Sequence, residues 1–354
     1  MKGQKGEQIK LLTGGDSLMA YETEDQETQY CFPDINSSCV KGKRSSHGYN
    51  ITYLFVSLLS AWTVFLNLLV IISISHFKKL HTPTNMIILS LAVNDLLIGL
   101  IVMPVDAVKL IETCWYFGDT LCDLYMIIMG LLLSASLSNL ILIAVDRYVA
   151  VCHPLLYPQK ITMTKTLISI FICWFVCLTN NIAFLVSSRH FDVLQKTNMC
   201  HGQCTLIVSF SWTFTDLFLS FLVPCTLIIT LYLRIFYVAY QQVKVINSII
   251  KGGKCAMDGS VKRKSERKAA LTLGIVVTVY LLCYIPYYML SVIGTTVISS
   301  TMTFLIWSLY INSCLNPLIY ALFYRWFKIS VKCILTLKIL EPASSLLDIF
   351  KDYP

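Results

Sequence analysis

The sequence predicts an all-α membrane protein: a bundle of seven transmembrane helices with a short amphipathic helix after the seventh. Three observations lead there. The 354 residues are 56% hydrophobic and only 14% charged, whereas soluble domains carry nearer a quarter charged. The charges cluster between apolar stretches, seven of which can cross ~30 Å of hydrocarbon at about 20 helical residues each. The last stretch contains Asn312-Ser-Cys-Leu-Asn-Pro-Leu-Ile-Tyr320, which places two Asn and a Pro inside an uncharged run.

The expected spans cover residues 53–76, 86–107, 120–145, 166–188, 205–235, 269–294 and 301–324. They divide the chain into an extracellular segment 1–52, a bundle 53–324 and a cytoplasmic tail 325–354. Span 2 carries Asp95 at its middle and Asp106 toward its end, while span 3 opens at Cys122 and closes on Asp146-Arg147-Tyr148. Span 5 carries Asp216 eight residues before Pro224. Between Lys268 and Arg325 there is no Asp, Glu, Lys or Arg, and this stretch splits into two spans near Gly294-Thr-Thr and Ser299-Ser-Thr. In span 7, Pro317 removes one backbone hydrogen bond and loosens the helix. Tyr324 through Leu337 reads as an amphipathic helix lying on the membrane, with Cys333 a candidate for palmitoylation.

Lys and Arg in the short loops set the orientation. Lys78 and Lys79, then Arg147, Lys160 and Lys165, then Arg325, Lys328 and Lys332 all fall on one side, which is therefore cytoplasmic. The 5–6 loop on that side holds eight Lys/Arg against two acids between Lys244 and Lys268. These loops account for the net charge of +8 and suit anionic lipid, so no nucleic acid is called for. The N-terminus is expected outside, at the plasma membrane, in a multi-pass protein. The first 50 residues lack an apolar signal-peptide core, and Met19 is an alternative start. Asn36-Ser-Ser38 and Asn50-Ile-Thr52 are glycosylation sequons on the outer side.

Most of the fourteen cysteines fall within spans and read as small buried apolar residues. Cys31, Cys39, Cys122, Cys200 and Cys204 are on the outer, oxidising side. Spacing does not settle connectivity. The expected bridges are Cys122–Cys204, pinning the 4–5 loop over the bundle mouth, and Cys31–Cys200, tying down the N-terminus. No Cys/His spacing resembles a zinc site.

Polar groups inside the spans need reasons, because an acid at mid-bilayer costs ~2.5–3.5 kcal/mol or more. Asp95 has candidate neighbours in Asn67, Ser136 and the pair Asn312/Asn316, which lie four apart on one face. Carboxylate, hydroxyl and amide oxygens together suit a small hard cation such as sodium, so a structural sodium ion at Asp95, Ser136, Asn312 and Asn316 is the one non-protein component expected. Met129, Ser136 and Arg147 fall on nearly one face of span 3 at ~100° per residue. Arg147 can pair with Glu266 before span 6, giving a breakable charge switch. Asp216 lies in the outer half of span 5, and Arg234, at the cytoplasmic end of that span, is too far along the helix to neutralise it. Tyr284, Tyr287, Tyr288, Trp307 and Tyr310 are its expected aromatic surroundings. A carboxylate ringed by aromatic faces suits an organic ammonium ligand. Asp106, ~16 Å outward from Asp95 on the same face, is a candidate second anion, which would admit diamines.

Asn67, Asp95, Cys122, Asp146-Arg147-Tyr148, Trp174, Pro224 with Tyr232, Pro286 and Asn316-Pro317-Leu-Ile-Tyr320 together resemble the framework of rhodopsin-like G-protein-coupled receptors across all seven spans. Within that class, the chain resembles the trace amine-associated receptors. Asn312-Ser-x-x-Asn-Pro-x-x-Tyr-x-x-x-Tyr-x-Trp-Phe327 matches that family's seventh-span signature; Ser73 to Asn85, Cys114-Trp-Tyr-Phe-Gly118 and Cys200-His-Gly-Gln-Cys204 also resemble it. The last of these supports, in that family, the two-bridge arrangement. Most amine receptors place an Asp on span 3 where this chain has Met129; Asp216 stands where one branch of the family carries an acid on span 5. Tyr284 replaces the usual Trp before Pro286, and Leu66 the usual Gly before Asn67.

The resemblance implies a receptor, not an enzyme, that takes a small amine on Asp216 and signals through a heterotrimeric G protein, stimulatory and of the olfactory kind. Arg147, Asp146, Glu266, Tyr232 and Tyr320 would form its cytoplasmic switch. Two other readings stay open: a receptor of the same fold for a non-amine ligand, and a transporter or channel. The transporter lacks support in any inverted repeat of spans.

Overall fold

The computed structural model describes residues 29–42, 46–195, 200–205, 209–251, 274–290, 299–341 and 344–346. Helix α1 covers Ser46–His76, α2 Pro83–Glu112, α3 Gly118–Cys152 and α4 Met163–Gln195. Helix α5 begins at Phe210–Asp216, passes through a π segment at Leu217–Leu222 and continues as Val223–Lys251. Helix α6 covers Gly274–Leu290, α7 Ser299–Phe323 and α8 Arg325–Leu335. Six of the first seven are long and apolar enough to cross a membrane, and the described part of α6 is apolar but shorter. The architecture is a seven-helix bundle with an eighth helix after it.

Local chemistry sets the helix ends. Thr82 caps α2 by accepting the Asn85 N–H at 3.3 Å, with Pro83 in the first helical position. Gly118, at φ 78°, turns the chain into α3, and the Trp115 indole N–H closes that turn on the Gly118 carbonyl at 2.8 Å. Span 5 was expected from residue 205, but α5 starts at Phe210. The disulfide at Cys204 holds the preceding residues in a loop, and Ser209 supplies the cap by accepting the Trp212 N–H. Elsewhere the helices outrun the expected spans, α3 to Cys152 and α4 to Gln195, because backbone hydrogen bonding continues where charged side chains are solvated.

The core has two layers. One gathers Val70, Ile74, Ile88, Leu91, Ile143, Ile228, Tyr280 and Tyr320; the other gathers Val102, Met103, Trp115, Tyr125, Leu132 and Tyr310 nearer the disulfides. Large apolar side chains such as Phe171 and Phe175 of α4 and Phe218 and Leu219 of α5 face outward, as hydrocarbon allows. Polar contacts tie the helices: Trp174 of α4 donates to Ser90 of α2 at 3.0 Å. Pro317 lacks the N–H that would reach the Ser313 carbonyl four residues back. Asn67 of α1 donates its amide to that carbonyl instead, at 3.1 Å.

Three disulfides cluster at one end of the bundle. Cys122–Cys204 pins the segment before α5 to the top of α3. The expected Cys31–Cys200 bridge is corrected: Cys31 pairs with Cys114, and Cys200 pairs with Cys39. The cause is a small hairpin in which Cys31 N–H bonds the Cys39 carbonyl at 2.9 Å and Lys41 N–H bonds the Gln29 carbonyl at 2.8 Å. The Cys39 N–H in turn bonds the His201 carbonyl at 2.9 Å, which lays Cys39 beside Cys200 and leaves Cys31 to face the α2–α3 loop. Lys41 pairs with Glu112 at 3.3 Å, and that hydrogen bond holds its ammonium pKa above the ordinary value. The sequon residues Asn36 and Asn50 are both exposed.

At the opposite end, α8 buries Trp326, Phe327, Ser330 and Cys333 against the bundle. Cys333, the candidate for palmitoylation, is buried, 2% exposed. Proteolytic mapping without reduction should recover Cys31–Cys114, Cys39–Cys200 and Cys122–Cys204 as three separate crosslinks. Recovery of a Cys31–Cys200 peptide would reject the hairpin geometry.

Candidate ligand and switch sites

Asp216 closes the first segment of α5, immediately before the π segment. Such a segment adds a residue to the turn, is rare within helices and is common at functional positions. The side chain lines a cavity of about 260 Å³ bounded by α3, α4, α5 and α6. Met129, Tyr287 and Tyr288 share that cavity, so four of the seven expected ligand residues come together. Tyr288 stacks on Phe221 with ring centroids 4.2 Å apart and meets Tyr287 edge-on at 5.5 Å. Among the described residues, no Lys or Arg lines the cavity.

The other three expected residues lie elsewhere. Tyr284 is buried one layer deeper, stacked on Tyr280 with centroids 3.8 Å apart, in the aromatic place before Pro286. Asp106 and Tyr310 bond each other at 2.5 Å, and Tyr125 donates to the second Asp106 oxygen at 2.5 Å. Asp106 lines a separate vestibule of about 500 Å³ at the disulfide end, with Lys109 and Trp307. Asp106, the candidate second anion, thus lines a different cavity from Asp216. The π segment Ile98–Val102 lies between Asp95 and Asp106 and shifts the face that Asp106 shares with α3 and α7. Tyr310 stands between the two chambers, its hydroxyl also 3.9 Å from the Met129 sulfur.

Sequence reasoning missed Gly130, Ser134, Asn180, Asn181 and Ser220, all of which line the Asp216 cavity. The signal was present in Thr179-Asn-Asn181, three polar residues in an otherwise apolar span. Asn181 donates to Ser134 Oγ at 3.1 Å and to the Cys177 carbonyl at 2.8 Å, fixing its amide. Its Oδ1 then occupies the space beside Gly130 that any larger residue would need.

Asp95 is fully buried and accepts the Asn316 amide at 2.8 Å. Ser136 and Asn312 are buried as well. Asp95 Oδ1, Ser136 Oγ, Asn312 Oδ1 and Asn316 Oδ1 have no hydrogen-bond partner among the described residues. Four converging oxygens of this kind fit a hard cation. No cluster of three His, Cys, Asp or Glu forms a metal site among the described residues.

Asp146 and Arg147 are both buried at the end opposite the disulfides, and they pair with each other at 2.5 Å. Thr84 donates to Asp146 at 2.8 Å and accepts from Arg147 at 2.6 Å, and Tyr157 donates to Asp146 at 2.9 Å. Burial and the neighbouring Asp146 carboxylate push the Tyr157 hydroxyl pKa up to about 12. Glu266, the expected mate of Arg147, lies outside the described residues. Tyr232 and Tyr320 are buried, and their hydroxyls have no hydrogen-bond partner among the described residues.

The family profile described as "7 transmembrane receptor (rhodopsin family)" matches residues 66–320. The bundle, the Asp95–Asn316 pair and the buried Asp146–Arg147 end are thus those of a rhodopsin-like seven-transmembrane receptor. The chain is 40% identical to trace amine-associated receptor 13c of Danio rerio over 336 residues, covering 92% of this chain and 98% of that one. It is 39% identical to trace amine-associated receptor 8a of Rattus norvegicus, covering 92% and 97%, and 37% identical to trace amine-associated receptor 6 of Homo sapiens, covering 92% and 96%. The chain belongs to the trace amine-associated receptor family.

The Gly130–Asn181 contact makes a specific prediction. A Cβ at Gly130 would sit only 2.0 Å from Asn181 Oδ1. Gly130→Ala should therefore destabilise the purified receptor by about 1–3 kcal/mol, the range for overpacking. Adding Asn181→Ala should recover most of that loss in a thermal-shift assay; a loss of equal size in both backgrounds would reject the contact.

Proposed function

We propose that the chain is a plasma-membrane receptor for small amines, with the disulfide-bearing end outside and the ammonium held on Asp216. The observation that carries this reading is the cavity: one carboxylate, the aromatic walls Tyr287 and Tyr288, and no cationic side chain lining it among the described residues. A desolvated carboxylate supplies the charge partner, and aromatic faces attract the same cation through their quadrupoles. Met129 adds an apolar floor where an acid would otherwise compete for the ammonium. The relatives' names, all trace amine-associated receptors, agree in ligand class. With Asp106 already bonded by two tyrosines, the cavity offers a single anion, which favours monoamines over diamines.

An agonist bridging Asp216 and the two tyrosines would pull α5 and α6 together at this level. The Tyr288–Phe221 and Tyr284–Tyr280 stacks would pass that movement along α6. Opening of α6 at the far end would release Arg147 from Asp146 and Thr84 and expose a cleft for a heterotrimeric G protein. Only the agonist's differential affinity for that open form can shift the equilibrium. Family membership supports a stimulatory G protein and a chemosensory setting. A sodium ion on Asp95, Ser136, Asn312 and Asn316 would stabilise the closed form by bringing their oxygens together. Asn36 and Asn50 would carry glycans on the outer face.

The test is a cyclic-AMP response to hexylamine, phenethylamine and 1,5-diaminopentane in transfected cells, with surface expression measured in parallel. Asp216→Asn should lower monoamine potency at least tenfold, as loss of a desolvated charge pair requires. Equal potency in native and variant receptors would reject Asp216 as the anchor. Replacing sodium with N-methylglucamine at constant ionic strength should raise agonist affinity in the native chain but not in Asp95→Asn; no dependence on sodium would reject the ion.

A further inference from the structure

We propose that the amine reaches Asp216 sideways, from the bilayer, through a portal between α4 and α5. This rests on the reading of Asp216 as the ammonium site, and it narrows the ligand to monoamines with an apolar body that partitions into lipid. The two chambers share no lining residue among those described. The vestibule at the disulfide end is bounded by the N-terminal hairpin, α2, the segment before α5 and α7, and the Asp216 cavity by α3, α4, α5 and α6. Between them stands a bonded plug: Tyr310 holds Asp106 at 2.5 Å and touches Met129 at 3.9 Å, while Tyr125 holds the other Asp106 oxygen at 2.5 Å. Among the described residues, that plug lies between the vestibule and Asp216.

The lateral side is different. Helices α4 and α5 scarcely meet along their length, although each packs closely on α3. Phe184 and Trp212 bridge the seam edge-on with ring centroids 6.2 Å apart. One turn from Phe184, Asn180 is exposed on the outer surface of α4 and also lines the Asp216 cavity. It makes no hydrogen bond among the described residues. A polar amide on a hydrocarbon-facing surface is costly unless something polar comes to it, and an amine crossing the seam does so. In this geometry, Asn180 receives the amino group at the lipid boundary and Asp216 takes it one helix further in.

The experiment uses the full-length receptor in lipid nanodiscs, with a fluorescent reporter at the far end of α6 read by stopped flow. Butylamine, pentylamine and hexylamine are the probes. Access through the bilayer makes the on-rate follow lipid partitioning, rising about fourfold per added methylene. Access from water through the vestibule leaves the on-rate flat and puts the affinity gain into the off-rate. Asn180→Trp should slow onset at least tenfold for all three amines, while Thr205→Trp, in the vestibule, should leave onset as it was. Flat on-rates, or slowing by Thr205→Trp alone, would overturn the lateral route and leave Asp216 as the anchor. Silence to all three amines would overturn the anchor and the route together. Should Asn180→Trp fail to fold, the alkylamine series on the native chain decides by itself.

Discussion

Every polar group inside a hydrocarbon slab must find its partner within the protein, and in this receptor that constraint is met around Pro317. The proline deprives the Ser313 carbonyl of its intrahelical donor, and Asn67 of α1 supplies the replacement at 3.1 Å. One residue before the proline, Asn316 donates to Asp95 of α2 at 2.8 Å. Three helices are thereby joined at one level by two hydrogen bonds, one of which takes the place of the backbone bond that Pro317 removes. The lock is incomplete by design of its atoms: Asp95 Oδ1, Asn312 Oδ1 and Ser136 Oγ still have acceptor capacity to offer. A polar centre with capacity left over can be stabilised by an added cation or rearranged when the helices shift, whereas a saturated one can only be broken.

The disulfide end is constrained in a different manner. Two of its three bridges involve the N-terminal hairpin, one to the top of α2–α3 and one to the segment before α5. A single bridge would allow the hairpin to swing about one point. Two bridges on neighbouring residues of a hairpin fix its orientation as well as its position. The Lys41–Glu112 pair and the Gly42–Thr113 hydrogen bond at 2.7 Å extend the same attachment to the end of α2. The vestibule below this cap is therefore lined by covalently anchored elements, which suits a filter better than a chamber that must close around a ligand.

The fold was legible from hydropathy because a membrane span is a long signal and positive charge sorts the loops. Asp216, Met129, Tyr287 and Tyr288 were legible as a group because an acid without a basic neighbour stands out in an apolar helix. Three kinds of feature were not. The partners of Cys31 and Cys39 depend on a hairpin whose register comes from backbone hydrogen bonds to His201, which spacing does not encode. The surroundings of Asp106 do not follow from spacing, because a π turn at Ile98–Val102 rephases everything beyond it. The expected second anion accordingly faces two tyrosines. Asn180 and Asn181 were overlooked because amides in spans read as interhelical glue; for Asn181 that reading describes its hydrogen bonds correctly, whereas Asn180 is exposed and lines the cavity without a side-chain hydrogen bond among the described residues.

The position of the acid within the bundle has consequences for signalling. An acid on α3 would anchor an amine to the helix that packs on both α4 and α5, and that helix moves least when the others rearrange around it. With Met129 in that place, an ammonium held on Asp216 as proposed would be anchored to a helix interrupted at Leu217–Leu222, directly after that residue. A π segment is a weak point in the hydrogen-bond ladder, so a charge pulled at Asp216 can turn the first segment of α5 without displacing the rest. The π segment itself carries Phe221, stacked on Tyr288 of α6. Tyr284, one turn further along α6, stacks on Tyr280, two planar rings at 3.8 Å that can slide over each other with little loss of contact. An indole before Pro286 would act as a bulky lever against its neighbours. The paired phenol rings instead allow α6 to move by shear. On the proposed reading, an anchor on α5 and a stack in place of the lever are thus matched: each would put the agonist's work at the interface between α5 and α6 rather than at α3.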